Sequence, residues 1–231
     1  MNSTKKTARI AGFLYLVNGV TGFFSIIYLP SKLFVSGNAA ATAHNILASE
    51  RLFRFGIASE VICAVEYIYL LWVLYRLLSG VSKTHASLMV ILGVAFVPIM
   101  CMNAIIDIAA LMLLRGADFL PVFNQLQREC LAMLFLSVRR YGYDVGWIFG
   151  LALFHFGVCV WKSGFLPRFL GALLMAACFG YLAVSLSQFL VPSYANIVGR
   201  LANIPLAFGE PATILWLLIR GAKDQPLEAV A

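Results

Sequence analysis

The sequence predicts an all-α, polytopic integral membrane protein: a six-helix bundle with both termini cytoplasmic. Three observations predict it. Of the 231 residues, 62% are hydrophobic and only 12% charged. A soluble domain carries about 25% charged residues, so the excess apolar side chains belong against lipid. The apolar residues also gather in six long stretches, each near the roughly 20 residues that a spanning helix needs. Finally, the 17 Lys and Arg stand at the ends of these stretches and never in a run longer than two, as interfacial anchors and topology signals do. The length fits one transmembrane domain over residues 1–231.

The expected spans are residues 8–29, 55–78, 87–114, 143–161, 167–190 and 199–219. The runs are too long for barrel strands and lack the alternation that barrels show. Lys5 and Lys6 precede the first stretch and Arg9 stands at its opening. It is too long for a signal-peptide core and has no small-residue cleavage site, so it reads as the first span. Pro30, Pro121 and Pro192 stand just past or between spans, where helices are expected to stop.

Orientation follows from cationic residues. With the N terminus inside, inner segments hold Lys5, Lys6, Arg9, Arg76, Lys83, Lys162, Arg168, Arg220 and Lys223. The outer segments hold Lys32, Arg51, Arg54, Arg115, Arg128, Arg139, Arg140 and Arg200, spread over longer loops. Residues 38–54 open on a helix-cap candidate, Asn38, and residues 119–138 mix polar and apolar positions. Both are expected as interfacial helices or as extensions of a span.

Several classes of function find no support. A net charge of +7 without a basic run does not point to nucleic acid. Cys63, Cys101, Cys130, Cys159 and Cys178 lie far apart with no CxxC, and read as small core residues. His44, His85 and His155 are expected outside, inside and mid-membrane, so no metal site and no cofactor is expected. HExxH, GxSxG, phosphate-loop and dinucleotide motifs do not occur.

Chemistry is expected where polar groups stand in the wrong solvent. A charge at the bilayer centre costs at least a few kcal/mol and so marks a functional candidate. At about 1.5 Å per residue, Glu66, His155 and Glu210 fall near the middle of spans two, four and six, and Asn18 and Asn103 near the middle of spans one and three. Glu60 and Asp107 lie roughly 8–10 Å toward the outer side. Asn103 and Asp107, four apart, share a helix face. Asn18 and Asn103 also suit the plainer role of interhelical hydrogen bonding. Pro205 and Pro211 flank Glu210, and a proline removes one helical hydrogen bond, so span six is expected to be broken there.

An internal echo adds weight. Glu66, Trp72 and Arg76 follow the spacing Glu-x5-Trp-x3-Arg, and Glu210, Trp216 and Arg220 repeat it. His155 and Trp161 share the first interval, and Arg9 with Gly12 matches Arg168 with Gly171. Spans one–two and five–six are read as a candidate pair of repeated hairpins.

The stretches Ala8-Arg9-Ile10-Ala11-Gly12-Phe13-Leu14-Tyr15-Leu16, Tyr28-Leu29-Pro30-Ser31-Lys32-Leu33, Ala48-Ser49-Glu50-Arg51-Leu52-Phe53-Arg54, Ser163-Gly164-Phe165-Leu166-Pro167-Arg168-Phe169-Leu170-Gly171 and Gly209-Glu210-Pro211 carry a resemblance. With them the chain resembles the bacterial membrane family called domain of unknown function 4386, over nearly its whole length. The resemblance implies a multi-pass helical protein of a bacterial cytoplasmic membrane and implies no activity or catalytic residue. Pro211 departs from the family's usual pattern.

The function expected from the residues is binding or transport of a small or lipid-like ligand in a central polar pocket. The candidate ligand-binding residues are Glu66, Asn103, Asp107, His155 and Glu210, with Glu66 or Glu210 able to carry a proton. The alternatives are an enzyme acting on a lipid or quinone-like substrate through the same groups, and a non-catalytic membrane subunit or assembly factor. The expected partners are the bilayer and a small-molecule or lipid ligand.

Overall fold

The computed structural model describes residues 3–146 and 150–223, without the side chains of residues 3 and 203–205. Residues 147–149 of expected span four, the ring of Pro205 and the chain from 224 onward lie outside that description. The described chain is all-α: α1 (Ser3–Gly22), α2 (Leu29–Leu33), α3 (Ala39–Ala48), α4 (Glu50–Leu78), α5 (Lys83–Arg115), α6 (Gln125–Gly146), α7 (Leu151–Lys162), α8 (Arg168–Leu190) and α9 (Ala195–Ile219). Among the described residues, six helical segments are long and apolar enough to cross a membrane: Thr4–Leu33, Glu50–Leu78, Lys83–Arg115, Gln125–Lys162, Arg168–Leu190 and Pro192–Ile219.

The spans differ from expectation most at three places. The helix does not stop before Pro30. A π-helical turn, Phe23–Tyr28, leads into α2, which carries Pro30 in its first turn. A proline ring crowds the carbonyl four residues back, and a widened turn is one way to relieve that clash. α9 likewise runs unbroken from Ala195 to Ile219 through positions 205 and 211. The fourth span opens at Gln125, well before residue 143. Its polar residues hide it from a reading by hydrophobicity.

The chain divides into two compact units. The first comprises residues 1–17, 66–96 and 144–231, and the second residues 18–65 and 97–143. In the first, Ala11, Tyr15, Leu70, Leu74, Phe156, Leu170, Leu174 and Leu217 belong to one buried cluster. Close helix crossings depend on glycine. A Cβ on Gly157 of α7 would lie 2.7 Å from the Gly171 carbonyl oxygen, and one on Gly171 of α8 would lie 2.6 Å from that of Gly157. A Cβ on Gly12 of α1 would lie 2.5 Å from the Leu218 nitrogen of α9. Small residues at such crossings let backbones meet where lipid supplies no hydrophobic drive. The Arg-x-x-Gly echo thus has a packing role: Gly12 meets α9 just after Trp216, and Gly171 meets α7 at Trp161.

The Ser163-to-Gly171 stretch acts as a fastener. Gly164 adopts φ +70°, which turns the chain after α7, and the Ser163 hydroxyl accepts from the Leu166 N–H at 3.1 Å. Phe165 and Leu166 are buried, and the Phe165 carbonyl accepts from the Lys223 N–H beyond α9 at 3.1 Å.

In the second unit, Leu29, Leu33, Ile46, Phe53, Ala110, Leu114 and Leu136 belong to one core. Asn38 caps α3, its Oδ1 accepting from the Ala41 N–H at 2.9 Å. Asn124 and Gln127 form a reciprocal capping box at the start of α6, each side-chain oxygen accepting from the other's backbone N–H at 2.9 Å.

Burial is inverted relative to a water-soluble protein. Phe55, Ile91 and Leu201 are 68%, 63% and 66% exposed, whereas Glu60, Asp107 and Arg139 are 1%, 1% and 4% exposed. Such a surface is stable against lipid and not against water.

Candidate functional site

In the second unit, four segments deliver polar groups to one buried point. Arg139 of α6 sits between two acids: its Nε lies 2.9 Å from Asp107 Oδ2 of α5, and its Nη2 lies 3.8 Å from Glu60 Oε2 of α4. The same Nη2 donates to the Ser25 carbonyl at 2.9 Å, within the π-helical turn. Tyr143, one turn along α6, donates to Glu60 Oε1 at 2.5 Å. Its ring lies under the guanidinium, 5.1 Å from Cζ to centroid. Arg139 therefore balances one of two carboxylates and holds both, as a buried charge must be held.

Asn103 lies one turn from Asp107 and is buried against Gly142, where a Cβ would stand 2.5 Å from Asn103 Oδ1. Its amide nitrogen and oxygen find no hydrogen-bond partner among the described residues. Asn18 behaves as an interhelical link, its amide reaching the Cys63 carbonyl at 3.4 Å and Sγ at 3.3 Å.

The first unit treats its acid differently. Glu210 of α9 accepts from two phenols: the Tyr15 hydroxyl of α1 donates to Oε2 and the Tyr181 hydroxyl of α8 to Oε1, both at 2.6 Å. Among the described residues no cation forms an ion pair with Glu210. The helices are locked in this register by Gly12 against α9 and by Arg9, whose Nη2 donates to the Ile219 carbonyl at 3.2 Å. Gly209 allows α9 to approach α8, since a Cβ there would lie 3.0 Å from the Leu173 carbonyl oxygen. Two of the family-marking stretches, the one holding Tyr15 and the one holding Glu210, thus meet.

The five candidate residues divide between the units. Asn103 and Asp107 belong to the second, and Glu66, His155 and Glu210 to the first. Glu66 is buried. His155 of α7 faces His85 of α5, with Nδ1 atoms 2.9 Å apart and ring centroids 5.2 Å apart. This corrects the expectation that the two histidines stand at different depths. A fourth span starting at residue 143 puts His155 at its middle. With the span opening at Gln125, His155 stands about two turns from its Lys162 end. Among the described residues no three His, Cys, Asp or Glu gather as metal ligands.

Sequence reasoning misses Arg139, Tyr143, Tyr15, Tyr181 and His85 as site residues. Arg139, expected on an outer segment, is buried within α6. A signal for this exists in the spacing. Ala132, Leu136, Arg139 and Tyr143 follow one another at intervals of four, three and four, which puts them on one helix face, and all four are buried. The tyrosines pass for span filler because most of the side chain is apolar.

Among known proteins, an uncharacterized protein of Archaeoglobus fulgidus is 41% identical over 81 residues, which cover 35% of this chain and 46% of that protein. The chain thus spans less than half the length of that relative. No solved structure matches. The model of the family described as domain of unknown function, DUF4386, matches residues 10–221, and the chain belongs to that family.

Proposed function

We propose that the protein binds or transports a small or lipid-like ligand within the membrane, and that Glu210, with Tyr15 and Tyr181, is the group that takes up a proton or the cationic part of that ligand. One observation carries this reading: an intramembrane carboxylate whose hydrogen-bond partners are two neutral phenols. Two phenols donating to both oxygens suit the ionised acid, because an ionised carboxylate only accepts. If Glu210 takes a proton, one of its oxygens becomes a donor, and the tyrosine facing it can accept instead or turn its hydroxyl away. Proton binding would then be tied to a change at a helix contact, which is the coupling a carrier needs. Glu66 and His155, on the same unit as Glu210, stand as further candidates for the ligand path, and Asn103 and Asp107 stand as separate candidates within the other unit.

The location that fits this reading is the cytoplasmic membrane of a bacterium, with both termini inside. The six apolar spans support the membrane, the distribution of Lys and Arg supports the inward termini, and the bacterial source rests on the family resemblance alone. The test uses proteoliposomes holding the trapped pH dye pyranine, with a potassium–valinomycin potential and added pools of small-molecule and lipid extracts. Pool-dependent proton movement in the wild type and its loss in Glu210→Gln is the expected result. Equal movement in Glu210→Gln, or none with any pool, would remove the proposal.

A further inference from the structure

The second unit also carries a groove of about 330 Å³ between the first turns of α4 and the last turns of α5. Its walls are apolar, with Ile57, Ala58, Ile108 and Met112, and its rim is formed by Arg54 and Arg115. Ala58, Ile108 and Met112 are exposed, so in a bilayer this groove opens sideways onto lipid. Arg54 lies in the first turns of one candidate span and Arg115 is the last residue of the next. Those positions belong at headgroup depth, with the apolar walls at acyl-chain depth.

The rim is charged by construction. Glu50 holds both guanidinium groups: Arg54 Nε stands 2.7 Å from its Oε1 and Arg115 Nη1 stands 3.5 Å from the same oxygen. Both arginine side chains remain more than half exposed, at 53% and 57%. Among the described residues, the Nη atoms of Arg54 and Nη2 of Arg115 have no hydrogen-bond partner. Arg128 lies against the backbone of Gly116, the next residue on, where a Cβ would be 3.0 Å from its Nη1. Two guanidinium groups share one carboxylate, which leaves positive charge and free planar donors above an apolar slot. Planar N–H donors match the oxygens of a phosphate, and an apolar slot matches a hydrocarbon chain.

We infer that this groove is a binding site for an anionic phospholipid, its phosphate on Arg54 and Arg115 and one acyl chain along Ile57, Ala58, Ile108 and Met112. Glu50 positions the two guanidinium groups, and Ala58 keeps the slot open because any larger side chain there would occupy it. The site is independent of the Glu210 reading and stands or falls separately.

The test uses the full chain purified in neutral detergent, with native mass spectrometry counting bound lipid and thermal unfolding read in parallel. Phosphatidylglycerol is the probe and phosphatidylcholine of the same chains is the comparison. Each arginine near an anionic headgroup weighs about fivefold on affinity, so the double variant R54Q/R115Q should bind phosphatidylglycerol about thirtyfold more weakly. Ala58→Phe keeps every charge and should weaken binding as well, by filling the slot. Equal binding of the two lipids, or unchanged binding in either variant, would overturn the inference. So would competition by glycerol 1-phosphate as strong as that by the whole lipid, because the site would then be one for a free phosphate. Should R54Q/R115Q fail to fold, Ala58→Phe decides alone.

Discussion

Two acid sites, one buried and one half-buried, show opposite ways of keeping a carboxylate inside a membrane helix bundle. Glu60 and Asp107 are held by a cation, Arg139, which also ties down the Ser25 carbonyl of the π-helical turn. Glu210 is held by two neutral hydroxyls. The first arrangement joins four chain segments through charge and is costly to disturb. The second holds its acid through neutral donors alone. On the function proposed above, the difference separates a site that holds helices together from one that takes up a proton or a cationic ligand.

That contrast can be broken most easily at Arg139. Arg139→Gln would leave two acids facing each other in a buried site, and breaking a buried ion pair from one side costs about 3–5 kcal/mol. Thermal unfolding in detergent should show a larger loss than any other single change below. The triple change E60Q/D107N/R139M should recover much of it, because it removes the charges together. A failure of the triple to recover would mean that the network does more than hold helices.

Gly12→Leu should come next. Its new side chain would meet the Leu217–Leu218 backbone and push α1 from α9. Overpacking of this kind costs about 1–3 kcal/mol. It would also separate Tyr15 from Glu210, so the pool-dependent proton movement proposed for that contact should fall together with stability.

Tyr15→Phe and Tyr181→Phe should each cost a similar amount, at most about 1.5–3 kcal/mol for a hydrogen bond to a charged group. Glu210→Gln should be milder, because Gln keeps an acceptor for one phenol and carries no charge that must be buried. Circular dichroism melts of the three variants would rank them. A Glu210→Gln loss as large as that of Arg139→Gln would erase the contrast between the sites. Asn103→Leu should have the smallest effect, since its amide makes no hydrogen bond among the described residues to lose, and removal of a buried unpaired polar group is neutral or stabilising.

The spans are legible in the sequence because lipid selects for long apolar runs, and residues such as Ile91 and Leu201 carry that signal on their exposed faces. Arg139 is not, because a cation inside a span looks, from sequence alone, like a cation at its end. Its partners Glu60 and Asp107 lie on other helices, and their distance from it in sequence hides the pairing. Starting span four too late also moves His155 to the wrong depth and hides its contact with His85. Glu210 is visible as an acid in an apolar run, but its phenol partners are not, since Tyr15 and Tyr181 come from other helices. The π-helical turn before Pro30 has no sequence signature beyond the proline itself.

The proposal that Glu210 is the acid that takes up a proton or cationic ligand, and that Glu60 and Asp107 are held in place, is tested most directly by infrared difference spectra of the purified protein recorded with and without the active pool. The wild type should show a carboxyl band that changes when the pool is added. That change should be absent in Glu210→Gln, displaced in Tyr15→Phe and Tyr181→Phe, and intact in Asp107→Asn. A pool-dependent change that survives Glu210→Gln, or that vanishes in Asp107→Asn, would contradict the assignment.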